Sequence, residues 1–323
     1  MSEKFSKQIF CGLCSRGDYR QVAAYLNRVV GGKRLAAKLK RIFEDGEYVL
    51  KSNNPEVAEF LRVYEDYLKW ALANDVTTQQ CKEYLLDKFS HMLPDVTDYS
   101  DLENKVKDFL EKRGYFALVG ITASYPNLYL WKCQTVRNVA VELPSGTINI
   151  AACSMRSFIS RGWLSYLSLN KTGDAGWATS TSVNYLAFDY FLFSPHLKSL
   201  LKHEAQHLYD LRHYPDMKSA DLEYRAKLVE LIYYKNPMPM LHRHILGMMG
   251  NEDGNDRKTN PHGNANRRIA QALSRRLFDK EIETNRELWK RQKKKISTIA
   301  KELLDESTKG AAKWDISKTC AQL

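Results

Sequence analysis

The sequence predicts a mostly helical α+β fold with a small mixed or antiparallel sheet. Apolar residues recur at helical spacing through residues 1–113 and return at that spacing after residue 194. Between these parts, residues 115–193 hold short runs rich in β-branched and aromatic residues, separated by Pro and Gly. The chain has 323 residues, of which 44% are hydrophobic, so a core of ordinary size is available.

Four apolar stripes indicate the helices of the first region, and Pro or Gly follows three of the four. The stripes lie at residues 26–30, 57–68, 85–92 and 102–110. Strands are expected at residues 115–121, 128–131, 135–143, 147–152 and 183–193, with a tight turn at 144–146. Residues 156–182 contain SRGW and GDAGW and are predicted to form a glycine-rich loop region.

These patterns predict three regions along the chain. Residues 1–113 form a helical N-terminal region, residues 114–250 a core of sheet and helices, and residues 251–323 a basic helical C-terminal region. The last region carries 17 Lys+Arg against 11 Asp+Glu, a net charge of +6. The six cysteines do not make a disulfide scaffold in a chain this long and are interpreted as free thiols.

Charge and hydropathy restrict the partners and the location of the protein. The net charge of +11 favours an acidic partner, which is nucleic acid, an anionic membrane surface or an acidic protein. No recognised nucleic-acid motif is present, so nucleic acid is the weaker candidate. No stretch approaches the ~20 apolar residues of a transmembrane helix. The apolar run near the start is too short for a signal-peptide core. We therefore expect a cytoplasmic protein, or one exported without a recognisable signal peptide.

One helix carries a motif with the residue types and spacing of a metal site. Ser194 is a good N-cap, Pro195 suits the first helical position, and the helix is expected to stop near Tyr214. His203 and His207 lie four residues apart, so both imidazoles leave the same face of the helix. The run HEAQH thus predicts two nitrogen ligands for a zinc ion.

A catalytic zinc ion needs a third protein ligand and one open position. The next helix, capped by Ser219 and containing LEYRA, supplies Glu223. If the two helices form an antiparallel hairpin, Glu223 returns to nearly the level of His207, at about 6 Å against 9 Å from the turn. The predicted site is then His203, His207 and Glu223.

A second candidate for the third ligand is His213, which follows His203 by ten residues. That spacing matches the longer motif HExxHxxGxxH, in which a glycine lets the chain leave the helix. Asp210 stands at the glycine position here, and Met248 or Met249 is the candidate for an accompanying methionine turn. Glu223 is the first choice, His213 the alternative, and a site with neither is the third possibility.

The pair of motifs HEAQH and LEYRA resembles the zincin metallopeptidases, in particular the gluzincins, which place HExxH on one helix and a glutamate ligand on the next. The resemblance covers roughly residues 115–235. It implies that His203, His207 and Glu223 bind Zn²⁺ and that Glu204 is the general base. It also implies a small sheet above the motif helix and a peptide or protein substrate.

The sequence departs from that family pattern in one informative place. Many gluzincins carry an acidic residue four positions after the glutamate ligand, where it supports a ligand histidine, whereas this chain has Lys227. Asp210 and Glu230 are the candidates for that support. His262, in a glycine-flanked loop before a helix, is a tentative catalytic residue that would stabilise the oxyanion.

The sequence-based hypothesis is therefore a zinc metallopeptidase, a hydrolase that uses an activated water and Glu204 as general base. Two alternatives stay open. One is a non-enzymatic basic helical protein that binds nucleic acid or an acidic partner. The other is a zinc-binding protein without turnover.

Overall fold

The computed structural model describes residues 3–173, 176–178, 182–187, 195–249 and 261–320. The chain divides into two compact units. Unit 1 comprises Met1–Gln134 and Met155–Ala175, and unit 2 comprises Thr135–Ser154 and Gly176–Leu323. The three-region division at residues 113 and 250 stays a prediction. The fold class is confirmed: the chain is a mostly helical α+β protein with a small five-stranded sheet.

Unit 1 is built from short, well-capped helices around one apolar core. Asn54 and Asp98 each accept a hydrogen bond from the first turn of the helix that follows, and Thr77 forms a capping box with Gln80. The helices are α1 Lys7–Cys14, α2 Tyr19–Arg28, α3 Lys33–Phe43, α4 Pro55–Ala73, α5 Thr78–Ser90, α6 Tyr99–Glu111 and α7 Gly162–Leu167. The four predicted stripes supply much of the buried core of this unit.

The sheet has the strand order β1-β2-β3-β5-β4. Its strands are β1 Phe116–Thr122, β2 Tyr125–Leu143, β3 Gly146–Arg161, β4 Gly176–Ala178 and β5 Ser182–Leu186. The predictions at 128–131 and 135–143 are corrected to the single long strand β2, which continues through the exposed Lys132 and Cys133. The turn at Pro144 and Ser145 is confirmed. The strand predicted at 183–193 is β5, and residues 188–194 lie outside the described residues.

The loop predicted at residues 156–182 is also corrected. Strand β3 runs to Arg161, helix α7 follows directly, and β4 begins at Gly176. A left-handed backbone at Gly162 (φ 80°) makes this change of direction, and a Cβ there would meet the Asn127 side chain. The glycine that suggested a loop is thus the junction between a strand and a helix.

Unit 2 places the motif helix beneath the end of the β2–β3 hairpin. Its helices are α8 Pro195–His213, α9 Ser219–Tyr233, α10 Pro261–Phe278, α11 Arg286–Arg291 and α12 Lys293–Cys320, with a π-helical turn at Met240–Ile245 and a 3-10 turn at Leu246–Met248. Val141 and Ile150 from the hairpin share a core with Ala205 and Leu208 of α8. Helix α9 packs against α8, α10 and α12. The predicted packing of the sheet on this helix is therefore observed.

A buried ion pair lies beside the motif helix. Asp210 of α8 accepts hydrogen bonds from Gln206 at 2.9 Å and from Arg225 of α9 at 2.8 Å, and the Asp210 and Arg225 side chains are fully buried. Arg225 also donates to Ser307 and Thr308 of α12. This network links α8, α9 and α12 by hydrogen bonds.

Two predictions made from the sequence concern the cysteines and membrane-spanning helices. The cysteines Cys11, Cys14, Cys81, Cys133 and Cys153 are free thiols. None of the helices in the described ranges contains an apolar stretch that would cross a bilayer.

Candidate metal centre

Helix α8 presents the two motif histidines side by side. It begins at Pro195 and ends at His213, as predicted, whereas the proposed cap Ser194 lies outside the described residues. The Nε2 atoms of His203 and His207 are 3.1 Å apart, and their ring planes are nearly perpendicular at 85°. Both side chains are largely buried, so their ring nitrogens have little access to water.

Helix α9 returns antiparallel to α8 and brings Glu223 to the histidines. One carboxylate oxygen lies 3.6 Å from Nε2 of His203 and the other lies 3.4 Å from Nε2 of His207. The hairpin inferred from the spacing is thus present. One detail is corrected: Ser219 is the first residue of α9 rather than its cap, which is Lys218 and makes no side-chain cap.

The geometry of these three side chains fits a zinc ion. Zinc bonds of about 2.0–2.1 Å in a tetrahedron place neighbouring donor atoms about 3.3 Å apart. The two histidine Nε2 atoms are 3.1 Å apart, and each lies near a different Glu223 oxygen, His203 at 3.6 Å and His207 at 3.4 Å. Within the described ranges, His203, His207 and Glu223 form the one group of His, Cys, Asp or Glu side chains whose potential ligand atoms converge in this way.

Glu230 holds His203 in the orientation that a metal ligand needs. Its carboxylate lies 2.8 Å from Nδ1 of His203 and also accepts a hydrogen bond from Ser199. A carboxylate only accepts hydrogen bonds, so Nδ1 carries the proton and Nε2 keeps its lone pair. Glu230, one of the two candidates for this support, is therefore correctly placed, and Ser199 is a partner that the sequence analysis missed.

Asp210, the other candidate, does not contact a ligand histidine in its described hydrogen bonds. Its carboxylate accepts hydrogen bonds from Gln206 and Arg225 instead. Glu230 shares a helix face with Glu223 through the i, i+7 spacing, whereas the sequence does not place Arg225 against Asp210.

Lys227, which departs from the family pattern, lies inside the centre. Its ammonium group is 3.9 Å from the Glu223 carboxylate, and the side chain is only 10% exposed. The formal charges of Glu204, Glu223, Glu230 and Lys227 sum to −2 with neutral histidines. A divalent cation would compensate that charge, which is costly to leave unpaired in a buried environment.

The ionisation of the carboxylates reflects these contacts. Burial opposes the charged form of Glu223, but its close contacts with His207 and His262, and the attraction of His203 when that ring is protonated, outweigh burial and lower the pKa of Glu223. Burial likewise opposes the charged form of Glu230, but the hydrogen bond with His203 dominates and the pKa of Glu230 is lowered. Both carboxylates are therefore available as anions.

Glu204 adjoins His203 and is 9% exposed. Burial disfavours protonated His203, but the hydrogen bond to Glu230 and the charges of nearby glutamates, Glu204 among them, outweigh it and raise the pKa of His203. Glu204 thus belongs to the same electrostatic environment as the three converging side chains.

His262, the tentative catalytic residue, also reaches this centre. Its Nδ1 lies 2.8 Å from Oε2 of Glu223, although that oxygen receives no hydrogen bond of good geometry. The His262 side chain is 65% exposed, far more than Glu223 at 12%. It stands at the second position of α10, at the solvent side of the cluster, where an incoming ligand can meet it.

His213, the alternative third ligand, is not brought to the cluster. Helix α8 continues through Asp210 to His213, so the turn that would redirect the chain is absent. The Nδ1 of His213 lies 2.7 Å from the carbonyl of Tyr209, and the ring stacks on the Tyr209 ring. The geometry of the described residues favours Glu223 over His213 as the third donor.

Comparisons of the chain with protein-family models, with curated proteins and with solved structures found no match in any of the three. Interpretation of the centre therefore depends on its own geometry and chemistry.

Proposed function

We propose that this protein is a zinc-dependent metallopeptidase. The observation that carries the proposal is the convergence of His203, His207 and Glu223, whose potential ligand atoms lie within 4.8 Å of one another. The resemblance of HEAQH and LEYRA to the gluzincin motifs supports it independently. Two histidines and one glutamate are also the protein ligands of known catalytic zinc sites that keep a fourth position open.

Three residues hold the ion in this proposal, and Glu230 fixes the orientation of His203. When bound, zinc supplies Lewis acidity, which polarises the scissile carbonyl and lowers the pKa of a water molecule toward about 7.

Glu204 is the general base of the proposed reaction. Its carboxylate accepts a proton from the attacking water as the new C–O bond forms, and it passes that proton to the nitrogen as the C–N bond breaks. Its low exposure keeps it in an environment where such transfers are not lost to bulk water. His262, close to Glu223 and accessible to solvent, is the candidate for stabilising the carbonyl oxygen as it gains charge.

The test of this function separates chemistry from metal binding. Glu204→Gln keeps the size of the side chain but cannot take a proton, so a quenched fluorescent peptide mixture should be cleaved by zinc-loaded wild type and not by the variant. Both proteins should contain equal zinc. Glu59→Gln, at an exposed position of α4, is the matched control and should cleave normally.

Two results would overturn the proposal. Full activity of Glu204→Gln would exclude Glu204 as the base. Failure of zinc-loaded wild type to cleave any peptide in a mixture with every residue type at the scissile bond would favour the zinc-binding protein without turnover.

A further inference from the structure

The positive charge of this protein is concentrated at its N-terminus. Residues 1–41 contain ten Lys and Arg residues but only two acidic ones, Glu3 and Asp18, a net charge of +8 out of +11 for the whole chain. All ten basic side chains are exposed. The segment comprises α1, α2 and most of α3, and it belongs wholly to unit 1. It has no residue in common with the proposed metal centre.

Most of these cations lack a counter-charge. In the described part of the chain, Arg28 pairs with Glu3 at 3.2 Å and Arg41 pairs with Glu47 at 3.5 Å. The carboxylate of Asp18 caps α2. The other eight basic residues form no ion pair among the described residues: Lys4, Lys7, Arg16, Arg20, Lys33, Arg34, Lys38 and Lys40. An unpaired group of this size produces a local positive potential that attracts a polyanion.

Helix α3 arranges its cations on one face. At 100° per residue, its five basic residues occupy an arc of about 160°, while Leu39 and Ile42 are buried on the opposite side. The basic residues of this face are Lys33, Arg34, Lys38, Lys40 and Arg41. No acidic residue lies on α3, so the face is uniformly positive along its length.

The exposed apolar side chains of this segment indicate which polyanion it suits. Val30 is 59% exposed, lies three residues before Lys33, and is bridged to Lys4. Ile9 of α1 is 45% exposed. The aromatic rings of the segment, by contrast, are buried or half-buried: Phe5, Phe10, Tyr19 and Tyr25.

Single-stranded nucleic acids stack on exposed aromatic rings, and the aromatic rings of this segment are not exposed. Exposed aliphatic side chains beside unpaired cations match a lipid surface, where the cations meet anionic headgroups and the aliphatic groups enter the headgroup boundary. We propose that the N-terminal basic surface, formed by α1–α3 with the residues preceding α1, docks this protein onto an anionic membrane.

Vesicle cosedimentation tests this docking. Full-length protein should bind vesicles of phosphatidylcholine with phosphatidylserine, and not vesicles of phosphatidylcholine alone. The binding should weaken as salt rises, because exposed charges are screened. The quadruple variant Lys33→Gln, Arg34→Gln, Lys38→Gln and Lys40→Gln should lose on the order of 100-fold or more in affinity, given the usual contribution of each cation near such a surface.

The matched control changes four exposed lysines of α12 by the same chemistry: Lys293→Gln, Lys294→Gln, Lys295→Gln and Lys301→Gln. It removes the same net charge and should bind within about threefold of wild type if the N-terminal surface is the docking site. A second variant, Val30→Ser, should weaken binding by about fivefold without changing the salt dependence, since it removes only apolar area.

Three outcomes would overturn the inference. One is that wild type does not bind phosphatidylserine vesicles. Another is that the α3 variant and the α12 control weaken binding equally. The third is that duplex DNA or RNA displaces the protein from vesicles and binds the α3 variant more weakly than wild type, which would make nucleic acid the partner. None of these outcomes bears on zinc content or peptide hydrolysis.

Discussion

The Glu230 carboxylate lies 2.8 Å from Nδ1 of His203, while Nε2 of the same ring faces His207 and Glu223. One side of the imidazole is thus fixed by a hydrogen bond, and the other side is left with a lone pair. This arrangement requires α8 and α9 to pack in one register, since the carboxylate and the ring come from different helices. The hydrogen bond between Glu230 and His203 and the packing of α8 on α9 can each be tested by substitution.

Removing the Glu230 carboxylate should weaken metal binding without removing a ligand. Glu230→Ala leaves His203 free to rotate and to change tautomer, so zinc affinity should fall about 10- to 100-fold in chelator competition. Asp221→Asn is the control on the same helix, because Asp221 pairs with Arg268 and not with the histidines. Unchanged affinity in Glu230→Ala would show that this hydrogen bond does not organise the site.

His262 should matter for turnover rather than for zinc content. His262→Ala removes the exposed imidazole beside Glu223, and we expect kcat/KM for peptide cleavage to fall by about 100-fold, as when one oxyanion donor is lost. Zinc content should stay equal to that of wild type. His213→Ala, an exposed histidine at the end of α8, is the control and should keep full activity. Normal turnover in His262→Ala would remove His262 from the catalytic residues.

Breaking the buried ion pair beside the motif helix should destabilise the protein strongly. Arg225→Met leaves Asp210 charged and buried, so the free energy of unfolding should fall by about 3–5 kcal/mol. Arg268→Met, which breaks the partly exposed pair with Asp221, should cost less than about 1 kcal/mol. Urea unfolding curves compare the two variants, and equal losses would contradict a special role for the Asp210–Arg225 pair.

Glu65 should be important for the stability of unit 1. Its buried carboxylate accepts hydrogen bonds from the backbone amides of Val49 and Leu50 and from the Tyr166 hydroxyl. Glu65→Ala leaves three donors, among them the buried Tyr166 hydroxyl, without their acceptor and should cost at least ~3 kcal/mol. Glu59→Ala, on the exposed face of the same helix, should change stability by less than about 0.5 kcal/mol. An equal change in the midpoint temperature of thermal unfolding in both variants would contradict this role of Glu65.

The hairpin of the metal centre was predictable because its signals are local. The i, i+4 spacing of His203 and His207 and the distance of each residue from the turn depend only on helix geometry. The support from Glu230 was predictable as one of two candidates, since it shares a helix face with Glu223. The choice against Asp210 depended on Arg225, whose burial against Asp210 is a tertiary contact that no local pattern specifies.

Other features depended on long-range packing and were missed. Strand β2 continues through Lys132 and Cys133, because backbone pairing in a sheet tolerates exposed polar side chains that interrupt an apolar pattern. Gly162 suggested a loop, although its left-handed backbone starts α7.

Metal analysis of purified protein tests the central claim most directly. Wild type, Glu223→Ala and His213→Ala should be loaded with zinc, dialysed against a weak chelator and analysed for zinc per chain by mass spectrometry. We predict one zinc ion per chain in wild type and in His213→Ala, and a loss of most of it in Glu223→Ala, because two histidines alone hold the ion weakly. Retention of zinc by Glu223→Ala, or its loss from His213→Ala, would contradict the assignment of His203, His207 and Glu223 as the metal site.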